Sequence, residues 1–340
     1  MQLGRHSWTP ETVKHLLLVA AEIPFERAAR TIDALTRIPV SSSTLCRLVH
    51  EYGDQLVELQ AEEAESMVKP PAKFDEVTFR QVPLPDSEIM VVSMDGAMIH
   101  IRQEGWKEVK TLAVAAVERC EQANAAAEAD EPKVTLTKPS YRAGLWEAAV
   151  FTNQQWAEAT RRGIEKAKQI VSVNDGAVWI WAIVATCYLP CIEILDWWHA
   201  LQKLWQVANL LFGEGSDLSR AWVERYKACL WAGDVRPLFR YVHAHYAKGG
   251  PWPEGLAQAL GYFFTNRHRM RYARFRREGY PVGSGLVESA CKLVVQARMK
   301  QAGMIWSRNG AQAMLALRST ILSDRFSEIW PAISSTKKVA

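Results

Sequence analysis

The sequence predicts an α/β fold, a mixed sheet with helices on its faces and an all-helical insertion, and three observations carry that prediction. Between Glu88 and Asp196 short apolar runs alternate with helical patterns in the order three strands, helix, strand, helix, strand. After Asp196 the strand pattern stops, and Trp197–Phe264 reads as helices alone. Two of the apolar runs end in the same dipeptide, Asp95-Gly96 and Asp175-Gly176. Such strand ends are where an open α/β sheet forms its ligand crevice.

Length and composition set the frame. A chain of 340 residues, 49% of them hydrophobic, can bury a sizeable core, which argues against general disorder. The net charge of +4 neither requires nor excludes a polyanionic partner. Met1–Pro10 lacks the apolar stretch of a secretory signal. Ala177–Leu195 is almost wholly apolar, but Pro190 divides it and an aspartate stands at each end. It is expected to be a buried helix followed by a buried strand, with no membrane span. The six cysteines are scattered without a CxxC pair, and Cys187 and Cys191 find no second pair to complete a zinc site. Reduced thiols in a cytoplasm are expected.

Three helices are legible at the start. Thr9-Pro10 reads as a cap and first helical position, Pro24–Thr36 places Phe25, Ala28, Ala29, Ile32 and Leu35 on one face, and Ser41–Ser43 can cap a third helix through Leu45, Leu48, Val49 and Tyr52. Residues 1–68 therefore form a small helical, helix-turn-helix-like region that is a candidate for DNA contact. The acidic run Glu58–Glu65 suits a solvated helix face, and the prolines of 69–87 mark a linker.

Three strands are expected at Ile89–Ser93, Ala97–Gln103 and Trp106–Val117, then a loop or irregular hairpin over Glu118–Arg142. A helix over Gly144–Lys168, a strand at Ile170–Val173, a helix at Ala177–Tyr188 and a strand at Cys191–Leu195 complete the sheet. That order is RNase H-like, giving a domain over 88–330 with a helical insertion at about 200–265 and a flexible tail over 331–340. Later helices are expected from near Ser284 to Gln301 and over Arg308–Leu322.

Asp95 and Asp175 stand where a carboxylate meets water on one side and low dielectric on the other. That position is costly without a cation or donor. Asp196 also follows a buried strand and competes with Asp175; it could equally cap the next helix, and His199 lies one turn on. Glu288 falls near the start of a helix with Lys292 four residues later, the spacing of a surface ion pair. Carboxylates converging on one crevice suit hard divalent ions and phosphoryl transfer. The segment Asn266–Arg277 holds Arg267, Arg269, Arg271, Arg274, Arg276 and Arg277 with interleaved aromatics and no acid, a pattern suited to phosphate and bases.

At these residues the sequence resembles the ISKra-type bacterial insertion-sequence transposases. The blocks are Met94-Asp95-Gly96, Glu104–Lys110, Asp175–Trp181, Leu195–His199, Asn266–Met270, Gly283–Lys292, Gly303–Ser307 and Leu315–Arg318. They keep their order from about Pro24 to Trp330. These enzymes are related to Mutator-like DDE transposases. The resemblance implies that Asp95, Asp175 and Glu288 hold Mg²⁺ or Mn²⁺, two ions in all. It implies that Asp196 and His199 match an accessory C/D-x-x-H element, which sets Asp175 ahead of Asp196. Lys292 is expected to contact backbone near the scissile phosphate. Expected partners are double-stranded DNA, as element inverted repeats and target, and further copies of the chain in the cytoplasm at the nucleoid. The alternative is a catalytically inactive or domesticated remnant that binds DNA. Family members usually carry a cysteine-containing, zinc-binding N-terminal region, and the chain is expected to start just past it.

Overall fold

Thr9 and Pro10 open the first helix as their residue types dictate. The Thr9 hydroxyl accepts the Thr12 amide at 3.2 Å and Pro10 occupies the first turn of α1 (Pro10–Glu22). α2 (Phe25–Thr36) and α3 (Ser42–Val68) follow, Ser41 Oγ accepting the Thr44 amide at 3.1 Å. This computed structural model describes residues 8–68, 83–120, 131–247 and 249–335. Of the expected linker, 69–82 lies outside the described residues, as does 336–340 of the expected tail.

The sheet has five strands: β1 (Ile89–Ile101), β2 (Gly105–Cys120), β3 (Lys133–Gly144), β4 (Gln169–Asn174) and β5 (Ile192–Leu195). Their order is β3-β2-β1-β4-β5. The β1/β2 and β2/β3 pairs are antiparallel, whereas β1/β4 and β4/β5 are parallel. Helix α4 (Ala148–Arg161) and a short 3₁₀ turn lead into β4, and α5 (Val178–Cys187) joins β4 to β5. The helical part then contains α6 (Trp197–Phe212), α7 (Asp217–Trp231), α8 (Arg236–Tyr246) and α9 (Leu256–Asn266). A 3₁₀ turn (Arg267–Met270) precedes α10 (Tyr272–Arg277). After it, α11 (Gly285–Ala290) continues through a π-helical turn (Cys291–Gln296) into α12 (Ala297–Met299), and α13 (Arg308–Leu322) and α14 (Phe326–Ser335) close the chain. This mixed α/β architecture is compatible with an RNase H-like fold. No helix among the described residues is long and apolar enough to cross a membrane.

Four expectations change. The two short strands flanking Met94-Asp95-Gly96 are one strand, because Asp95 and Gly96 stay in register with Thr111 and Lys110 of β2. Much of Glu118–Arg142 is strand: β2 reaches Cys120 and β3 begins at Lys133. The outer half of β3 is largely exposed and so carries no apolar alternation. The acidic run in α3 is not wholly solvated, since Glu63 turns inward. Helix α14 extends to Ser335 because Ile329, Trp330 and Ile333 are buried beneath it.

The N-terminal helices are built into the same core as the sheet: Leu16, Ile32, Leu45 and Leu56 share one apolar cluster with Val91 and Leu112. α3 lies so close to α13 that a Cβ on Gly53 would stand 2.7 Å from Ala313 Cβ.

One buried ion cluster fastens α3, β3, α4 and the start of α14. Arg142 reaches Glu63 at 2.7 Å and Glu158 at 3.6 Å; Arg325 reaches the same two acids at the same two distances. Burial pushes the Glu63 carboxyl up, but Arg142 and Arg325 outweigh it and hold the group at about 2 against an ordinary 4.5. A folded-state value below the unfolded one stabilises above pH 4.5, and that stability is lost as pH falls toward 2. At 1.36 kcal/mol per unit the contribution is ~3 kcal/mol. Urea midpoints across that pH range are expected to fall steeply in the parent and more gently in Glu63→Gln, which starts lower.

Candidate active site

β1 has its parallel partner β4 only over Ile89–Val92; beyond that the ladder gives way to a side chain. Asn174, at the end of β4, accepts the Met94 amide on Oδ1 at 2.7 Å and donates to Ser172 Oγ at 2.7 Å. The clasp sets Asp95 beside Asp175, one residue past each point of contact. Asp95 Oδ1 accepts the Gly96 amide at 2.7 Å, and Asp175 Oδ1 accepts the Ala177 amide at 2.8 Å. Each carboxylate thus has one oxygen oriented by the backbone. Burial raises the Asp95 carboxyl above its ordinary range, and the neighbouring Asp175 charge raises it further.

Asp196 both caps α6 and binds elsewhere. Oδ2 accepts the His199 amide and faces His199 Nδ1, both at 2.8 Å, while Oδ1 accepts the Ser284 amide at 2.6 Å. Burial acts to raise this carboxyl, but the His199 and Ser284 hydrogen bonds win and hold it low. The His199 imidazole is raised by its bond to Asp196, against burial, and by the charges of Asp175 and Asp95. Ser284 passes the connection on, its Oγ lying 3.3 Å from Glu288 Oε1. The Glu288 side chain is 40% exposed and faces Lys292 Nζ at 3.8 Å.

Asp95, Asp175 and His199 therefore share one electrostatic neighbourhood. Glu288 borders it through Cys291, whose thiol lies 3.8 Å from Asp95 Oδ2 and is pushed up to about 12 by burial, then by the charges of Asp95 and Glu288. Among the described residues, no three His, Cys, Asp or Glu side chains are gathered closely enough to hold a metal ion. The donor set still fits a hard cation in kind: oxygen ligands, one of them destabilised by burial beside a like charge.

The contacts that several residues make here carried no sequence signal. Tyr262 of α9 leans over Gly176 so closely that a Cβ there would meet its ring at 2.4 Å. Its buried hydroxyl has no partner, and burial with the charges of Asp175 and Asp196 raises it. Asn174, Ser284 and Cys291 act through contacts 80 or more residues away in the chain.

The arginine segment divides. Arg269 reaches Glu193 at 2.6 Å and lies 3.9 Å from the Trp181 ring centroid. Arg276 reaches Glu131 at 3.0 Å and covers Trp231. Both are held by the fold, whereas Arg267, Arg271, Arg274 and Arg277 remain exposed.

No protein-family model matches the chain, and no curated protein matches it. Among solved structures, a match to the Drosophila P element transposase strand transfer complex covers 97% of this chain and 82% of that chain. Identity is 9% and the TM-score 0.29, too low to bear on the site.

Proposed function

We propose that this protein is an insertion-sequence transposase of the DDE class that cleaves and joins DNA strands. The observation that carries the reading is the electrostatic coupling of Asp95, inside β1 just beyond its parallel pairing with β4, and Asp175, the residue that follows β4. In this reading Asp95, Asp175 and Glu288 hold Mg²⁺ or Mn²⁺, two ions. Metal at this position would activate an attacking oxygen and stabilise the leaving one. The protein's own part is orientation: Asn174 fixes Asp95 relative to Asp175, and Asp196 anchors the Ser284 turn from which Glu288 rises. Lys292 and the exposed arginines would bind backbone phosphates of element ends and target DNA, and further copies of the chain would hold paired ends. A metal-dependent nicking assay on terminal-repeat DNA tests the reading directly.

A second reading, a DNA-binding remnant without cleavage, is favoured by one observation, the half-exposed Glu288 paired with Lys292. DNA binding without nicking in the same assay would select it.

Replacing Arg271 and Arg277 together by alanine should weaken DNA binding across sequences and flatten its salt dependence by about two charges' worth. Arg269→Ala should lower the urea midpoint instead, since that guanidinium is spent on Glu193 and Trp181. Unchanged salt slopes in the double variant would remove this surface from the interface.

A further inference from the structure

Away from the acid cluster, a pocket of about 470 Å³ opens between the starts of α2, α3 and α13 and the end of α12. That volume is in the range of small-ligand sites. Its walls include Arg298, which is 1% exposed. The guanidinium spends Nε on the Ala20 carbonyl at 3.2 Å and Nη1 on Met304 Sδ at 3.9 Å, and Nη2 has no partner. Phe25 and Trp306 flank it at 4.7 and 5.2 Å from their ring centroids. No carboxylate lies within ion-pair distance of it among the described residues. A buried cation with a spare donor is costly unless an acceptor completes it.

The rest of the wall points the same way. Ser42 and Ser43 belong to the first turn of the 27-residue α3, and Gly310 to that of the 15-residue α13, with its cap Ser307 alongside. Ser41 takes the Thr44 amide, leaving those of Ser42 and Ser43 on the lining for a ligand, whereas Ser307 takes the amide of Gly310. Arg102 is exposed on the lining and Glu26 is its one carboxylate. Val49, Met304 and Ile305 make the opposite character, an apolar wall.

We propose that this pocket binds a nucleotide unit, its phosphate held by Arg102, Arg298 and the start of α3, its base against the apolar wall. The anion-binding half stands on the pocket alone; the choice of a nucleobase rests on the DNA-processing reading. The unit could arrive as a free nucleotide or as the terminus of a DNA strand, and the probes separate these.

The test uses the full chain in EDTA, so that metal chemistry plays no part. Calorimetry would compare 2′-deoxyadenosine 5′-monophosphate, deoxyadenosine, inorganic phosphate and a short 5′-phosphorylated single strand. The monophosphate is expected to bind about tenfold or more tighter than the nucleoside, with phosphate competing. Arg102→Glu and Ser43→Phe, both at exposed positions, should each weaken it about tenfold or more while leaving the circular dichroism unchanged. If only the phosphorylated strand binds, with the same sensitivity to both variants, the source is a DNA end. Absence of binding by monophosphate, phosphate and strand alike overturns the proposal, as does binding indifferent to both variants. Monophosphate binding in a protein that never cleaves DNA would keep the pocket and discard the transposase reading.

Discussion

Asp175→Asn is expected to lower metal-dependent strand cleavage by at least ~10³-fold, the several kcal/mol that a metal-held reaction centre supplies, while DNA binding stays within about twofold. The amide keeps the shape of the side chain and can still accept the Ala177 amide at the Oδ1 position, so the turn after β4 survives. Asp95→Asn should be equally inactive but more resistant to urea without metal. Its carboxyl is raised in the fold, so the fold disfavours the charged form, and at neutral pH the ionised parent pays that penalty. Inactivity coupled to a gain in stability is what a site costly to its own fold should show. Cleavage within tenfold of the parent by a well-folded Asp175→Asn protein would sink the triad.

The second large effect concerns stability alone. Glu158 is 1% exposed and stands among Arg142, Arg161 and Arg325. Glu158→Gln should destabilise by about 3–5 kcal/mol, because it strands buried guanidinium charge without its counter-ion. Equilibrium urea unfolding measures this, and a loss under ~1 kcal/mol would mean that water replaces the carboxylate. DNA binding by the folded fraction should be unchanged, since none of these side chains is among the proposed phosphate contacts, Lys292 and the exposed arginines.

The sheet was legible because its inner strands are buried on both faces and read as apolar runs, as Met90–Val92 does without a break and Ile170–Val173 does around the buried Ser172. The outer half of β3 was not, because an exposed strand loses the contrast on which pattern reading depends. Asp-Gly at 95–96 imitated a turn; the β2 ladder, remote in sequence, kept it extended. The two aspartates could be seen as a pair, but not what sets them. Asn174 and Tyr262 act through contacts that no local pattern records. Asp196 shows how two readings can both hold, since it caps α6 and reaches Ser284 with its other oxygen. The arginine run misled in part for the same reason. Its sequence advertises charge, whereas the partners of Arg269 and Arg276, Glu193 and Glu131, lie 76 and 145 residues away.

The π-helical turn between α11 and α12 has a consequence for how the molecule is geared. Bonding from i to i+5 admits an extra residue, so every side chain beyond the turn is rotated by ~100° from where an unbroken α-helix would carry it. Arg318 secures that offset, donating to the carbonyls of Leu293 and Val294 within the turn. Glu288 lies before the offset and Arg298 after it, one bordering the Asp95–Asp175 neighbourhood and the other set in the wall of the pocket proposed for a nucleotide. Both groups stand on one continuous helical run, so deleting one residue from Cys291–Gln296 should re-aim Arg298 by ~100° relative to Glu288.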